Sequence, residues 1–134
     1  MKWEVKSPKY GDIVRTKVSF YHHYGIFLSP QRVIQFGLAD DVRRPAEEVR
    51  VLESDVYAFL CGGELEVGVA EAEERGKLRP AEEIVSLALS RIGEGGYDIL
   101  HNNCEHFVNE CAFGEKNSSF IENVREKLRK KLGK

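Results

Sequence analysis

The sequence predicts one globular domain in which strands come first and helices follow. Three observations carry this. Short apolar, aromatic-rich segments bounded by turn residues fill the chain up to Gly63. From Pro80 onward the apolar residues recur at helical spacing instead. The 134 residues, 42% hydrophobic and 31% charged, are ordinary for a soluble protein and sufficient for a single core.

No apolar run approaches the roughly 18 residues of a membrane span. The longest, residues 56–61, reads as a buried strand at most. Residues 1–6 lack an apolar h-region, so they do not read as a secretory signal. Three cysteines cannot all pair within one chain, and a reducing cytoplasm is the expected compartment.

Taken in order, residues 1–10 are polar and aromatic, with Pro8 interrupting any helix. Tyr10-Gly11-Asp12 is a turn and residues 13–15 a short strand. Residues 21–28 and 32–36 form a β-hairpin around Ser29-Pro30-Gln31. A loop with Asp40, Asp41, Arg43, Arg44 and Pro45 follows. Residues 49–51 and 56–60 read as two more strands, the second closed by Cys61-Gly62-Gly63. In the acidic stretch 64–79, Leu65, Val67 and Val69 alternate like an edge strand, and residues 70–75 suit a helical turn.

Pro80 then fits the first position of a helix, with Glu82 and Glu83 in its first turn. Ile84, Val85, Ala88, Leu89 and Ile92 form its stripe, and Gly93 ends it. Gly95-Gly96 turns the chain into Tyr97-Asp98-Ile99-Leu100. A second helix follows from the stripe Cys104, Phe107, Val108, Cys111 and Ala112, with a capping-box-like pair at Asn102 and Glu105 and a stop at Gly114. Residues 115–134 end the domain as a basic amphipathic helix. It starts near Ser119, with Ser119 and Glu122 as a capping pair and a thin stripe of Ile121, Val124, Leu128 and Leu132.

Cys104 therefore falls in a first helical turn on the inward face. There, unpaired backbone N–H groups and the positive end of the macrodipole favour a thiolate. A nucleophilic cysteine also needs a base and a group to orient that base. His106 is two residues from Cys104 on one helix and points away, so it reads as structural. His101 could reach Cys104 only through a sharp turn. The hairpin histidines differ, because a strand beside the helix terminus can present an imidazole to the thiol. His23, Gly25 and Phe27 share one strand face; His22, Tyr24, Ile26 and Leu28 share the other. A hairpin loop with an odd number of residues, such as 29–31, puts Gln35 on the face of His23; an even loop separates them.

His23-Tyr24-Gly25-Ile26-Phe27-Leu28, with Gln35 twelve residues after His23, resembles the histidine box of the lecithin:retinol acyltransferase (LRAT)-like family. Asn103-Cys104-Glu105-His106-Phe107-Val108-Asn109-Glu110 resembles its cysteine box. Gly11-Asp12-Ile13-Val14 matches the strand that opens the family domain, so the resemblance covers residues 10–114. It implies an α+β fold, an antiparallel sheet packed against helices, in the circularly permuted NlpC-type arrangement of papain-like hydrolases. It further implies Cys104 as nucleophile, His23 as general base and acid, and Gln35 as the orienting group. Tyr21 matches an aromatic family position and would assist the oxyanion site. Animal members often carry histidine where this chain has Gln35, and an amide cannot compensate an imidazolium charge.

The implied activity is acyl transfer or hydrolysis through a Cys104 thioester, on phospholipid or other lipid acyl esters. One alternative is a cysteine peptidase or amidase of NlpC type. Another is a non-catalytic binding domain that keeps the fold. No cofactor is called for. A zinc site from His101, Cys104, His106 and Cys111 matches no standard finger spacing. Cys61 and Cys111 read as core residues. Residues 115–134 hold seven basic against three acidic side chains, a net of +4, while the rest carries a net of −6. The tail supports at most reversible contact with a membrane surface. The acidic body disfavours nucleic acid.

Overall fold

The computed structural model describes residues 1–19, 21–40, 44–99, 102–115 and 119–132. Strands β1 (Lys2–Glu4), β2 (Ile13–Val18), β3 (Tyr21–Ser29), β4 (Arg32–Phe36), β5 (Val51–Ser54) and β6 (Glu66–Val69) form one sheet, in the order β1-β6-β2-β3-β4-β5. Every pairing in it is antiparallel. Helices α1 (Val56–Leu60), α2 (Ala72–Arg75), α3 (Ala81–Ser90), α4 (Cys104–Phe113) and α5 (Ser119–Lys131) complete an α+β fold.

The two sheet faces are covered differently. On one, Ile13, Tyr24, Ile26, Ile34, Phe36 and Val51 pack against α3 and α4 through Ile84, Val85, Phe107 and Val108. This is the main core. On the other, Val14, Phe27, Val33 and Val67 close around Phe59 of α1, which is wholly buried. Gly25 makes that closure possible, since a Cβ there would stand 2.8 Å from Phe59 Cε1 and 3.1 Å from the Ile34 carbonyl oxygen.

The hairpin reaches its register by an unexpected route. Ser29 pairs with Arg32, so the turn is only Pro30-Gln31, and an even loop would separate His23 from Gln35. A register shift between Phe27 and Ser29 inserts Leu28 as an extra residue and restores the parity. Gly25 consequently lies opposite Gln35, with His23 on the same face.

Other expectations are corrected. Residues 56–60 are the helix α1, not a strand, because the Asp55 carboxylate accepts from the Ala58 N–H at 2.8 Å and caps a helical turn. Cys61 ends that turn with φ 48° and is exposed rather than core. The strand expected at 49–51 runs instead through Val51–Ser54. β6 is interior, flanked by β2 and by β1, a strand the sequence reading did not anticipate. Leu89 and Ile92 are exposed, so α3 buries only Ile84, Val85 and Ala88. Asp41, Arg43, Leu100 and His101, and the side chains of Ile121 and Val124, lie outside the described residues.

Candidate active site

Helix α4 starts on a cap one residue later than the spacing indicated. Asn103, not Asn102, is the N-cap: its Oδ1 accepts from the Glu105 and His106 backbone N–H groups, both at 3.0 Å. In return the Asn103 N–H donates to His106 Nδ1 at 2.9 Å, closing the box. The side chain of His106 is thus occupied in holding the helix start, the structural part expected for it. Cys104 follows as the first helical residue, and Gly114, with φ 76°, ends the helix as expected.

The Cys104 sulfur meets β3 just beyond the end of its ladder with β4. Amides alternate sides along a strand, and Phe27 donates towards β2, to the Asp12 carbonyl at 2.9 Å, so the amide of Tyr24 is turned towards β4. The paired register with β4 extends only to Gly25 and Gln35. At the next residue the Tyr24 amide is directed at the Cys104 sulfur. The thiol is 6% exposed, and burial pushes it up to about 11. Glu105 raises it further, while the amides of Tyr24, Cys104 and Glu105 pull it down. The helix terminus alone predicts a depressed thiol pKa; the loss of solvent outweighs it here.

His23 and Gln35 come together in the second core. His23 Nε2 stands 2.6 Å from Gln35 Oε1, and the two side chains are 3% and 0% exposed. The imidazole packs on Phe59, ring centroids 5.3 Å apart. Gln35 Nε2 donates to Ser54 Oγ at 2.6 Å, and Ser54 Oγ donates to the Asp55 carbonyl at 2.9 Å. The sequence does not signal Ser54, because the apolar residues 49–51 predict β5 too early. Reading Asp55 as a helix cap would have extended that strand through it.

The remaining candidates divide by face. The Tyr21 hydroxyl donates to the Ala39 carbonyl at 3.1 Å, so serving an oxyanion requires that bond to break. His22 lies on the α4 side, its Nε2 3.9 Å from Glu66 Oε1. That carboxylate is already held by Arg15 Nε at 2.8 Å, and burial, with Arg15 second, lowers the imidazole pKa. A cavity of about 260 Å³ adjoins the site. Its walls include Tyr21 and His23 together with Phe36 and Tyr97, so it opens onto residues from both sheet faces. Arg44 contributes a cation to the same wall.

A family model described as "Lecithin retinol acyltransferase" matches residues 6–117. The bovine protein named lecithin retinol acyltransferase is 29% identical over an alignment of 147 positions that covers 92% of this chain and 64% of that protein. The human protein of that name is 27% identical over the same shares. Human phospholipase A and acyltransferase 3 is 25% identical, with 92% of this chain and 82% of the relative covered. The chain thus spans less than two thirds of the first two relatives' length.

Proposed function

Because the chain belongs to the lecithin retinol acyltransferase family, we propose that it is a thiol-dependent acyltransferase or hydrolase acting on phospholipid or other lipid acyl esters. The observation that carries this is the buried His23–Gln35 pair at 2.6 Å, one residue along β3 from the amide that meets the Cys104 sulfur. The names of the relatives, an acyltransferase of lecithin and a phospholipase A, supply the substrate class. The circular permutation of a papain-like fold belongs to the same reading.

Cys104 attacks the ester carbonyl as His23 takes the thiol proton. With the thiol near 11, the sulfur rests protonated, and proton transfer accompanies attack rather than preceding it. The tetrahedral oxyanion is met by the Cys104 backbone N–H at the start of α4, since the Asn103 cap takes the N–H groups of Glu105 and His106. His23 returns the proton to the leaving alcohol, and a thioester remains on Cys104. Water or an acceptor nucleophile, deprotonated by His23, then releases the acyl group. Gln35 holds the imidazole throughout. The predominantly apolar cavity beside His23 suits acyl chain, and the Arg44 cation suits a phosphate.

Cys61, Cys104 and Cys111 are free thiols, and a reducing cytoplasm is the proposed setting. Among the described residues no helix is long and apolar enough to cross a membrane. Leu128 and Leu132 are exposed on the basic helix α5, and reversible attraction to anionic lipid is its proposed part.

Incubation with phosphatidylcholine vesicles, followed by intact-mass measurement, tests the function. An acyl adduct that is present on the wild-type chain and missing from Cys104→Ala is expected. Turnover retained by Cys104→Ala would overturn the thioester. An adduct from peptide amides but none from phospholipid would move the chain to the amidase class.

A further inference from the structure

We propose that Ser54 is a positioning residue that fixes which nitrogen of His23 carries the proton, acting through the Gln35 amide. The proposal rests on the reading of His23 as the base. Its direction starts at a group that can only accept. The Asp55 carbonyl takes the single hydroxyl proton of Ser54 at 2.9 Å, while the Phe59 N–H, at 3.2 Å, ties that carbonyl into α1.

Towards Gln35, therefore, Ser54 Oγ has only lone pairs to offer, and it accepts from Gln35 Nε2 at 2.6 Å. The amide is thereby turned with Oε1 towards His23. A carbonyl oxygen cannot donate, so His23 Nε2 must be the donor in the 2.6 Å contact. A neutral imidazole has one N–H, and Nδ1 is left with the lone pair that takes the thiol proton.

The opposite amide orientation would place –NH2 against His23 Nε2 and force the proton onto Nδ1. It would also place Gln35 Oε1 against the oxygen of Ser54, whose proton is already given to Asp55. Gln35 is fully buried, so its own amide atoms meet no bulk water in either orientation. The sheet register builds the relay: Gln35 lies opposite Leu52 in β5, which puts Ser54 diagonally across on the same face.

The test combines 15N NMR of the His23 ring in the intact, resting protein with hydrolysis of p-nitrophenyl butyrate. The wild type is expected to show the Nε2–H tautomer. Ser54→Ala should show a tautomer mixture and a rate lower by about twofold, because an even mixture leaves half of the rings with the proton on the wrong nitrogen. Ser54→Thr keeps the hydroxyl and should restore both readouts. In a Gln35→Glu background the Ser54→Ala loss should vanish, because the two carboxylate oxygens are equivalent acceptors and cannot be turned the wrong way. A merely structural Ser54 predicts the same loss in both backgrounds.

An unchanged tautomer in Ser54→Ala, or an equal loss in the Gln35→Glu background, overturns the proposal. His23→Ala separates this from the underlying reading. If that variant still turns over, the catalytic reading fails whatever the tautomer of the resting ring. If it is inactive while Ser54→Ala keeps the wild-type tautomer and rate, only the Ser54 proposal fails.

Discussion

With its pKa near 11, the Cys104 thiol leaves about one part in ten thousand as thiolate at neutral pH. Alkylation by iodoacetamide at pH 7 should therefore be no faster than for a free cysteine, and His23→Ala should slow it further. Equal rates in both proteins would show that His23 does not serve the thiol. Cys104→Ala should abolish turnover and, because the sulfur is buried rather than near the surface, cost about 1 kcal/mol in urea unfolding. A loss well beyond that would mark the cysteine as structural. Gln35→Ala should lower turnover by about tenfold, less than Cys104→Ala, because the imidazole remains but is poorly held. Gln35→Glu should move the acid limb of the kcat/KM profile upward, since a carboxylate beside His23 stabilises its charged form. His22 faces α4 and the Arg15–Glu66 pair instead of Gln35. Its replacement by Ala should cost far less activity than that of His23, measured on the same ester. Equal losses would place the base on the wrong strand face.

The elements around the site were unequally legible. The α4 helix could be read almost whole, because its stripe from Cys104 to Ala112 and its Gly114 stop are local signals; only the cap moved by one residue. The hairpin was harder. Face alternation was clear, but whether His23 and Gln35 meet depends on loop parity, and parity was set by a bulge at Leu28 that no local pattern announces. Residues 56–60 were misread because five apolar residues fit a buried strand as well as a short helix, and the deciding Asp55 cap is a single side-chain bond. That helix matters to the site, for it sets Phe59 against the His23 ring and holds the Asp55 carbonyl at the end of the Ser54 relay. Gly25 is the point where strand and helix come closest. Gly25→Ala should destabilise by about 1–3 kcal/mol through its contact with Phe59 and the Ile34 carbonyl. It should also lower activity by displacing the adjacent imidazole. Unchanged stability together with unchanged kcat would show that the second core does not position His23.

At the scale of the whole molecule, two cores share one sheet and the candidate machinery is split between them. Cys104 belongs to the α3–α4 layer and His23, Gln35 and Ser54 to the α1 side, and the β3–β4 ladder stops at Gly25 and Gln35, one residue short of Tyr24. Nothing in the sequence marks where that ladder stops, since the strand pairing sets it. Burial of thiols in the main core also gives the fold an alkaline limit. Cys104 and Cys111 are both raised from 9.0 to about 11, each chiefly by burial. For an acid whose folded pKa lies above its unfolded value, the native state holds more protons between the two, so stability falls as pH rises. The contribution is complete below pH 9.0 and is lost progressively towards pH 11, at most about 3 kcal/mol per thiol at two pK units each. Urea unfolding at pH 8 and pH 10.5 should show a steeper loss in the wild type than in Cys104→Ala/Cys111→Ala. Lysine and tyrosine titration contributes to both proteins and cancels in the difference. Parallel pH dependences in the two proteins would mean that neither thiol is kept from ionising by the core.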